Sequence, residues 1–384
     1  MSNNSFRGFG AIPQSDSWLA NQPGITPLGK QYIDNLNGYW PSANTFGGFA
    51  QATISATYRL QIFKKKGLTN TYDKLLNPTF PGSAIWGMDS SPDGKFLAAA
   101  IASTPYISIY KRNGETFTLL SNPASLPTGS GRDVAFSPDN KYLAVGHGTT
   151  PFVTIYKRDG DTFTKIATPF NTLPGGTTLS VAFSPDGNYF AVGMSVSPYV
   201  NVWRIDSTLD TFTKITIPTA GSGGNVNSVK FSPDSLHLIY AGGSSPSYGG
   251  YLINSSTDTF TALTIIGSPA TTGNHVAFSP DGVYMSVGAS TDLAILKRNN
   301  ANNTYSVITS QPPTVQKPAG EVNASAWSKD GNYLLVSGVN EPIILYTRTG
   351  DTFARSADGN IQDSAQSITS TSGTQGGLTW FNAP

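Results

Sequence analysis

Six aspartates recur in one setting along this chain: Asp93, Asp139, Asp186, Asp234, Asp281 and Asp330. Five follow Ser-Pro and the sixth follows Ser328-Lys329. A ring of carboxylates could hold a cation. The plainer use is local, because Asp after Pro accepts hydrogen bonds from the backbone of a tight turn. Repetition in unit after unit favours the turn, and carboxylates spread around a ring stand too far apart to share one ion. No metal and no cofactor are expected.

Catalytic groupings are equally hard to assemble. His147, His237 and His275 are the only histidines, and each falls at a different place in its unit. Spacing builds no Ser/His/Asp set and no HExxH motif. Thr128-Gly129-Ser130-Gly131 lacks the Lys-Ser/Thr ending of a phosphate loop and reads as a plain loop. The absence of cysteine removes thiolate metal sites and disulfides. The expectation is a protein with no catalytic residues, not an enzyme.

Binding has more to work with. Tyr106, Phe152, Tyr199 and Tyr248 follow prolines in corresponding loops. They read either as packing aromatics at strand entries or as a ring at a binding face. Residues 1–44 carry Phe6, Phe9, Trp18, Tyr32, Tyr39 and Trp40, and aromatics of this kind anchor interfaces. Basic residues such as Lys157, Arg158 and Arg348 stand close to acids such as Asp161 and Asp351. Arg158 with Asp161 and Arg348 with Asp351 are expected as surface pairs. The interleaved acids, a net charge of +1 and a charged fraction of only 12% argue against a nucleic-acid track or a polybasic membrane patch.

These residues sit on a repeat. Val181-Ala182-Phe183-Ser184-Pro185-Asp186-Gly187-Asn188-Tyr189-Phe190-Ala191-Val192-Gly193 reads as two strands around a tight turn. Near copies carry the other five aspartates, about 46 to 49 residues apart, a period typical of propellers and solenoids. Each full unit reads as four strands, a to d. Strand d bears a marker of Asp, Glu or Asn, then Thr, then an aromatic, and it occurs seven times, from Asn70-Thr71-Tyr72 to Asp351-Thr352-Phe353. Only six clear a strands precede such sets. Gly377-Leu378-Thr379-Trp380-Phe381 matches strand a at the other end of the chain. The expected fold is therefore all-β: a seven-bladed propeller of four-stranded blades over residues 45–384, closed by pairing of the N- and C-terminal strands. Residues 1–44 are expected to form an N-terminal arm, with a short helix from about Pro27 to Leu36. The 40 glycines and 26 prolines suit such a turn-rich protein. The first 30 residues hold no long apolar run and no stretch approaches 18 apolar residues, so neither a secretion signal nor membrane insertion is expected.

The Phe-Ser-Pro-Asp-Gly core resembles WD40-like repeats, although the recurring Gly-His and Trp-Asp marks are missing. The longer unit, Phe136-Ser137-Pro138-Asp139 through Val153-Thr154-Ile155-Tyr156-Lys157-Arg158 to Asp161-Thr162-Phe163, is similar to WD40-like propeller repeats encoded by bacteriophages and prophages. That resemblance covers roughly residues 46–384. It implies a virion component, made in the host cytoplasm and associated with the tail. The expected role is a non-enzymatic structural or adaptor protein whose partners are other virion proteins, with no nucleic acid bound. The alternatives are a module that binds a host-surface glycan or protein, and a capsid decoration protein. Phe6, Phe9, Trp18, Tyr32 and Trp40 are the expected attachment residues.

Overall fold

In the computed structural model, residues 83–219 are described without interruption, with most of 224–360 and shorter pieces at 48–52, 60–65, 72–75, 78–79 and 378–381. The expected arm, its aromatics Phe6, Phe9, Trp18, Tyr32, Tyr39 and Trp40, and the expected helix lie outside the described residues.

Three strands come first: β1 (Gly48–Ala52), β2 (Leu60–Lys65) and β3 (Tyr72–Lys74). Blade I follows as β4 (Ile85–Ser90), β5 (Phe96–Ile101), β6 (Ile107–Asn113) and β7 (Thr116–Leu119). Blade II is β8 (Gly131–Phe136), β9 (Tyr142–His147), β10 (Val153–Asp159) and β11 (Thr162–Lys165). Blade III is β12 (Thr178–Phe183), β13 (Tyr189–Met194), β14 (Val200–Asp206) and β15 (Thr211–Ile215). Blade IV is β16 (Val226–Phe231), β17 (His237–Gly242), β18 (Tyr248–Asn254) and β19 (Thr259–Ala262). A short β20 (Ile265–Ile266) then pairs in parallel with the outer strand of blade V. Blade V is β21 (Gly273–Phe278), β22 (Tyr284–Ala289), β23 (Leu293–Asn299) and β24 (Thr304–Val307). Blade VI is β25 (Val322–Trp327), β26 (Tyr333–Gly338), β27 (Ile344–Thr349) and β28 (Thr352–Asn360). The last strand is β29 (Leu378–Phe381).

The sequence expectation of seven blades is corrected to six. Among the described residues, six stretches each fold into a complete four-stranded blade from one continuous run of chain. The first repeat lacks its own inner strand, and the final repeat-like segment supplies nothing but one. These leftovers share a sheet in the order β29-β1-β2-β3, with Trp380 opposite Phe49 and Gly48 opposite Phe381. That composite sheet links the ends of the six-blade run, since β29 neighbours both β4 and β25.

The apolar core lies between blades rather than within them. One cluster joins Tyr189, Ala191 and Val202 of blade III to Val229, Leu238 and Tyr240 of blade IV, and the same arrangement joins blades II and III. The second strand of each blade is covered on both faces, so it reads as a continuous apolar run, as in Phe96-Leu97-Ala98-Ala99-Ala100-Ile101, where every residue is buried. The strand-d marker acquires its reason here. The aromatic that opens each second strand stands edge-on to the marker aromatic of the next blade: Phe96 to Phe163, Tyr142 to Phe212, Tyr189 to Phe260 and Tyr284 to Phe353, at 5.5 to 5.8 Å between ring centres. Edge-to-face pairs of this kind contribute about 0.5–1.5 kcal/mol beyond their burial.

The turns behave as the sequence suggests. Ser91, Ser137, Ser184 and Ser232 donate their hydroxyls to Oδ1 of the following Asp at 2.5 to 2.6 Å. The same Oδ1 accepts the N–H of Lys95, Lys141, Asn188 and Leu236 respectively, at 3.0 to 3.1 Å. Gly94 and Gly187 adopt φ of 69° and 74° in these turns, the left-handed region that glycine enters freely. Among the described residues no helix is long and apolar enough to cross a membrane.

Candidate functional site: the looped face and the inner strands

Two regions bring chemistry-bearing side chains together. The first is the face formed by the loops between the second and third strands of the blades. Tyr106, Phe152 and Tyr199 occupy one position in blades I, II and III, each partly exposed. Each has a positive φ, of 68°, 67° and 63°. The loop is fixed by two backbone hydrogen bonds, as in Phe152 N–H to Thr149 and His147 N–H to Phe152, at 2.7 and 2.9 Å. A bulky residue in this region is a conformational outlier and costs about 1–2 kcal/mol, which the loop must hold in place three times over.

Tyr248 does not join them. It is 2% exposed, and its hydroxyl donates to the Gly267 carbonyl. The register explains why. Tyr248 pairs with Ala241, just as Val200 pairs with Gly193, so Tyr248 stands one residue further along than Tyr199. One step along a strand exchanges its two faces, and Tyr248 enters the core.

The charged pairs also depart from expectation. Arg158 and Arg348 reach the preceding blade, to Asp93 at 2.9 Å and Asp281 at 3.0 Å. Asp161 instead receives Lys111, and Asp351 receives Lys297. The blades stack face against face, so side chains leaving a strand meet the neighbouring blade before they meet their own hairpin.

The second region was not anticipated. In every complete blade the inner strand carries a register shift, between Ile85 and Gly87, Gly131 and Asp133, Thr178 and Ser180, Val226 and Ser228, Gly273 and His275, and Val322 and Ala324. A bulge re-aims the side chain that follows it. The residues just after the shift staple one blade to the next. Asp133 accepts from the Ser180 hydroxyl at 2.9 Å and the Val181 N–H at 3.0 Å. Ser180 accepts from Val229 at 3.2 Å, Ser228 from Val276 at 3.3 Å, and His275 Nδ1 from the Ser325 N–H at 3.3 Å.

Two residues beyond the shift, the inner strands hold Asp89, Ala135, Ala182, Lys230, Ala277 and Ala326 in equivalent register. Asp89 accepts the N–H of Ser90 at 2.9 Å and of Phe136 at 2.8 Å. Burial pushes its carboxyl up to about 6, with the Phe136 N–H and the Lys230 ammonium acting against that rise. Burial also raises Asp133, and Lys230 again opposes it. His275 is pushed down to about 3, first by burial and then by Lys230. One ammonium thus acts on three groups from three other blades, while Asp89, Asp133, Lys230 and His275 all keep intermediate exposure. These side chains stand deep on the inner strands, where Asp89 and Asp133 reach across the seams between blades. Among the described residues no group of three or more acids and histidines is arranged to hold a metal ion. Alignment of the repeats held one signal for this site: two charges in a column that is otherwise alanine.

Comparison with known proteins bears on the fold. The WD domain, G-beta repeat model matches residues 167–204. No curated protein matches the chain. Among solved structures, a candidate 6-phosphogluconolactonase from Bacteroides uniformis superposes with a TM-score of 0.68 at 14% identity, over 88% of this chain and 99% of its own. A second candidate 6-phosphogluconolactonase, from Bacteroides fragilis, gives 0.67 at 14% identity, over 89% and 99%. The periplasmic gluconolactonase of Pseudomonas aeruginosa gives 0.65 at 15% identity, over 88% and 100%. The expectation that this is not an enzyme is corrected by these likenesses. It rested on the failure to assemble titratable groups from spacing, yet similar propellers bear lactonase names, and the inner strands here gather an Asp pair, a Lys and a His that spacing could not connect. At such identities the likeness establishes the fold: an all-β propeller of four-stranded blades that carries a WD40-type repeat.

Proposed function

We propose that this propeller is a structural or adaptor component of a bacteriophage particle, associated with the tail, that meets other virion proteins through its looped face. The observation that carries the reading is the arc of Tyr106, Phe152 and Tyr199, held at positive φ in three successive blades. Backbone strain kept in repeated form on a loop face is a common mark of a working surface. Aromatic side chains there supply the large, stiff contacts on which interfaces depend. The similarity of the repeat unit to phage-encoded propellers supports the particle setting. The segment at 1–44, with Phe6, Phe9, Trp18, Tyr32 and Trp40, serves as the attachment device in this reading. The protein is made in the host cytoplasm and ends in the virion.

The test is incorporation. Particles assembled with the Tyr106→Ala, Phe152→Ala, Tyr199→Ala triple variant are purified, and the protein is quantified beside its neighbours. Loss of the protein from particles, with the soluble variant still folded, supports the reading. Normal incorporation with impaired adsorption to cells would assign the face to a host glycan or surface protein instead. Absence of the wild-type protein from purified particles would sink the virion assignment altogether.

A further inference from the structure

The turns at the seams between blades follow one pattern, and one seam departs from it. Arg158, Arg298 and Arg348 stand opposite the marker aromatics Phe163, Tyr305 and Phe353 of their own blades. Each reaches Oδ2 of the turn aspartate in the preceding blade: Asp93 at 2.9 Å, Asp234, and Asp281 at 3.0 Å. Arg348 shows the whole socket. Its Nη1 also donates to the Gly331 carbonyl in the turn of its own blade at 3.2 Å, and its guanidinium lies 4.6 Å from the centre of the Tyr284 ring. One cation thus closes the gap between two neighbouring turns. Ile205 and Ile253 hold the equivalent register in blades III and IV, opposite Phe212 and Phe260, and neither side chain can donate a hydrogen bond. Between blades III and IV the loss is made good locally, because Asn188 Nδ2 donates to Oδ2 of Asp186 at 2.7 Å. Between blades II and III it is not. Asp139 uses Oδ1 for Ser137 and Lys141, and its Oδ2 has no hydrogen-bond partner among the described residues. Lys141, which stands in its turn where Asn188 stands in the next, is drawn away to Asp210 at 2.7 Å.

A pocket of about 400 Å³ opens at this place, lined among others by Asp139, Tyr142, Asp186, Gly187, Ile205 and Ser207. That volume lies in the range of ligand pockets. Its walls repeat the occupied socket: Asp139 answers to Asp281, Gly187 to Gly331 and Tyr142 to Tyr284. We infer that this pocket receives the arginine side chain of a partner protein, seated as Arg348 is seated between blades V and VI. Charge selects the occupant. Asp139 and Asp186 line the pocket, and Asp206 and Asp210 border it beside Ser207 and Tyr142. Against these four acids stand Lys141 and Lys157, and Asp210 engages both. Shape selects it further. A guanidinium stacks on an aromatic ring and donates from a planar fork, whereas an ammonium is a compact point charge. Asp139 and Asp186 are exposed, so a side chain from outside can reach them. The socket lies at the opposite ends of the strands from Tyr106, Phe152 and Tyr199, so this inference does not rest on the looped-face reading.

Titration of the full chain at low ionic strength with three capped tripeptides tests it: Gly-Arg-Gly, Gly-Lys-Gly, and the same peptide with citrulline, the neutral isostere of arginine. The expected result is saturable binding of the arginine peptide with Kd below about 10 mM, and binding of the citrulline peptide weaker by about tenfold or more. The lysine peptide should fall between them. Ile205→Arg should abolish binding, because it supplies from within the chain the guanidinium that Arg158, Arg298 and Arg348 supply at the other seams, with its stem covering the apolar surface that Ile205 covers now. Asp139→Asn keeps an oxygen for the Ser137 and Lys141 hydrogen bonds and removes the charge. It should weaken binding of the arginine peptide by about tenfold or more, which keeps the test decisive if Ile205→Arg fails to fold. The inference is overturned if the arginine peptide does not bind, if the citrulline or lysine peptide binds as tightly, or if either variant binds as the wild type does.

Discussion

Arg158 crosses a blade boundary to reach Asp93, with Nη1 2.9 Å from Oδ2. Its guanidinium also lies 4.3 Å from the centre of the Phe96 ring. The other oxygen of Asp93, Oδ1, caps its own turn by accepting from the Ser91 hydroxyl and the Lys95 N–H. One carboxylate thus joins a turn, a neighbouring strand and an aromatic seam. Burial works against its charge, but the Ser91 hydroxyl, the Lys95 N–H and Arg158 together hold its pKa below the usual carboxylate range.

Replacing Arg158 with Ala should therefore lower stability by about 1–3 kcal/mol, the range for losing charged hydrogen bonds in a largely buried setting. The Arg158 side chain is only 11% exposed, whereas Lys111 and Asp161 are 46% and 51% exposed. Lys111→Ala should accordingly leave the urea midpoint almost unchanged, since exposed pairs contribute little. Equal effects from the two variants would contradict the seam.

Gly131 opens β8 with no side chain because a loop of the preceding blade occupies the place. A Cβ there would stand 2.3 Å from the Tyr106 carbonyl oxygen. Gly131→Ala must displace that carbonyl, which accepts the Ile101 N–H at 3.1 Å. The expected outcome is a melting temperature lower by several degrees together with loss of the Tyr106 contact surface. Amide exchange at Ile101 is the direct readout, and unchanged protection would refute the mechanism.

His237 is 0% exposed and stands edge-on to Tyr305 of the next blade at 5.5 Å. Burial, with Arg298 adding to it, pushes the ring down to about 4, and burial does the same to His147. The unfolded chain binds these protons near pH 6.5 and the folded chain only near 4. Stability is therefore lost as pH falls through that window, by up to about 3 kcal/mol for each ring. Asp89, raised to about 6, has the opposite slope: its neutral form is favoured by folding, so stability falls as pH rises from about 4 to 6. The diagnostic is a difference between proteins. His237→Phe, which copies Phe96 of blade I, should lose less stability between pH 7 and pH 5 than the wild type in urea titrations. Parallel pH profiles would rule out His237 as a contributor.

Removal of Gly376 to Pro384 deletes β29 and exposes the ladder of β1, which pairs with it from Gly48 to Gln51. It also separates β4 from β25, since β29 neighbours both. An open end presents unpaired backbone to other molecules. The shortened chain should melt at a lower temperature and aggregate, as read by light scattering during a thermal ramp. An unchanged melt would show that the composite sheet is dispensable.

The repeat, the strand boundaries and the turns were legible in the sequence because each follows from local chemistry. Ser-Pro-Asp with Gly or Asn fixes a turn wherever it occurs, and the apolar run Phe96–Ile101 can only be a strand covered on both faces. The strand-d aromatic was visible as a marker but not as a contact, because Phe163 meets Phe96 from a different blade. The same limit applies to charge. Arg158 stands beside Asp161 in sequence yet pairs with Asp93, since stacked blades bring a neighbour's turn closer than a residue's own hairpin. Blade count was misjudged for a related reason: repeat copies can be counted along the chain, but which leftover strands assemble into a complete blade depends on where the ends meet. Tyr248 shows the finest grain of the problem, one residue of register deciding between loop face and core. The inner-strand group of Asp89, Asp133, Lys230 and His275 is drawn from four blades across almost 190 residues, and only the closing of the inner strands around one axis brings those charges within reach of one another.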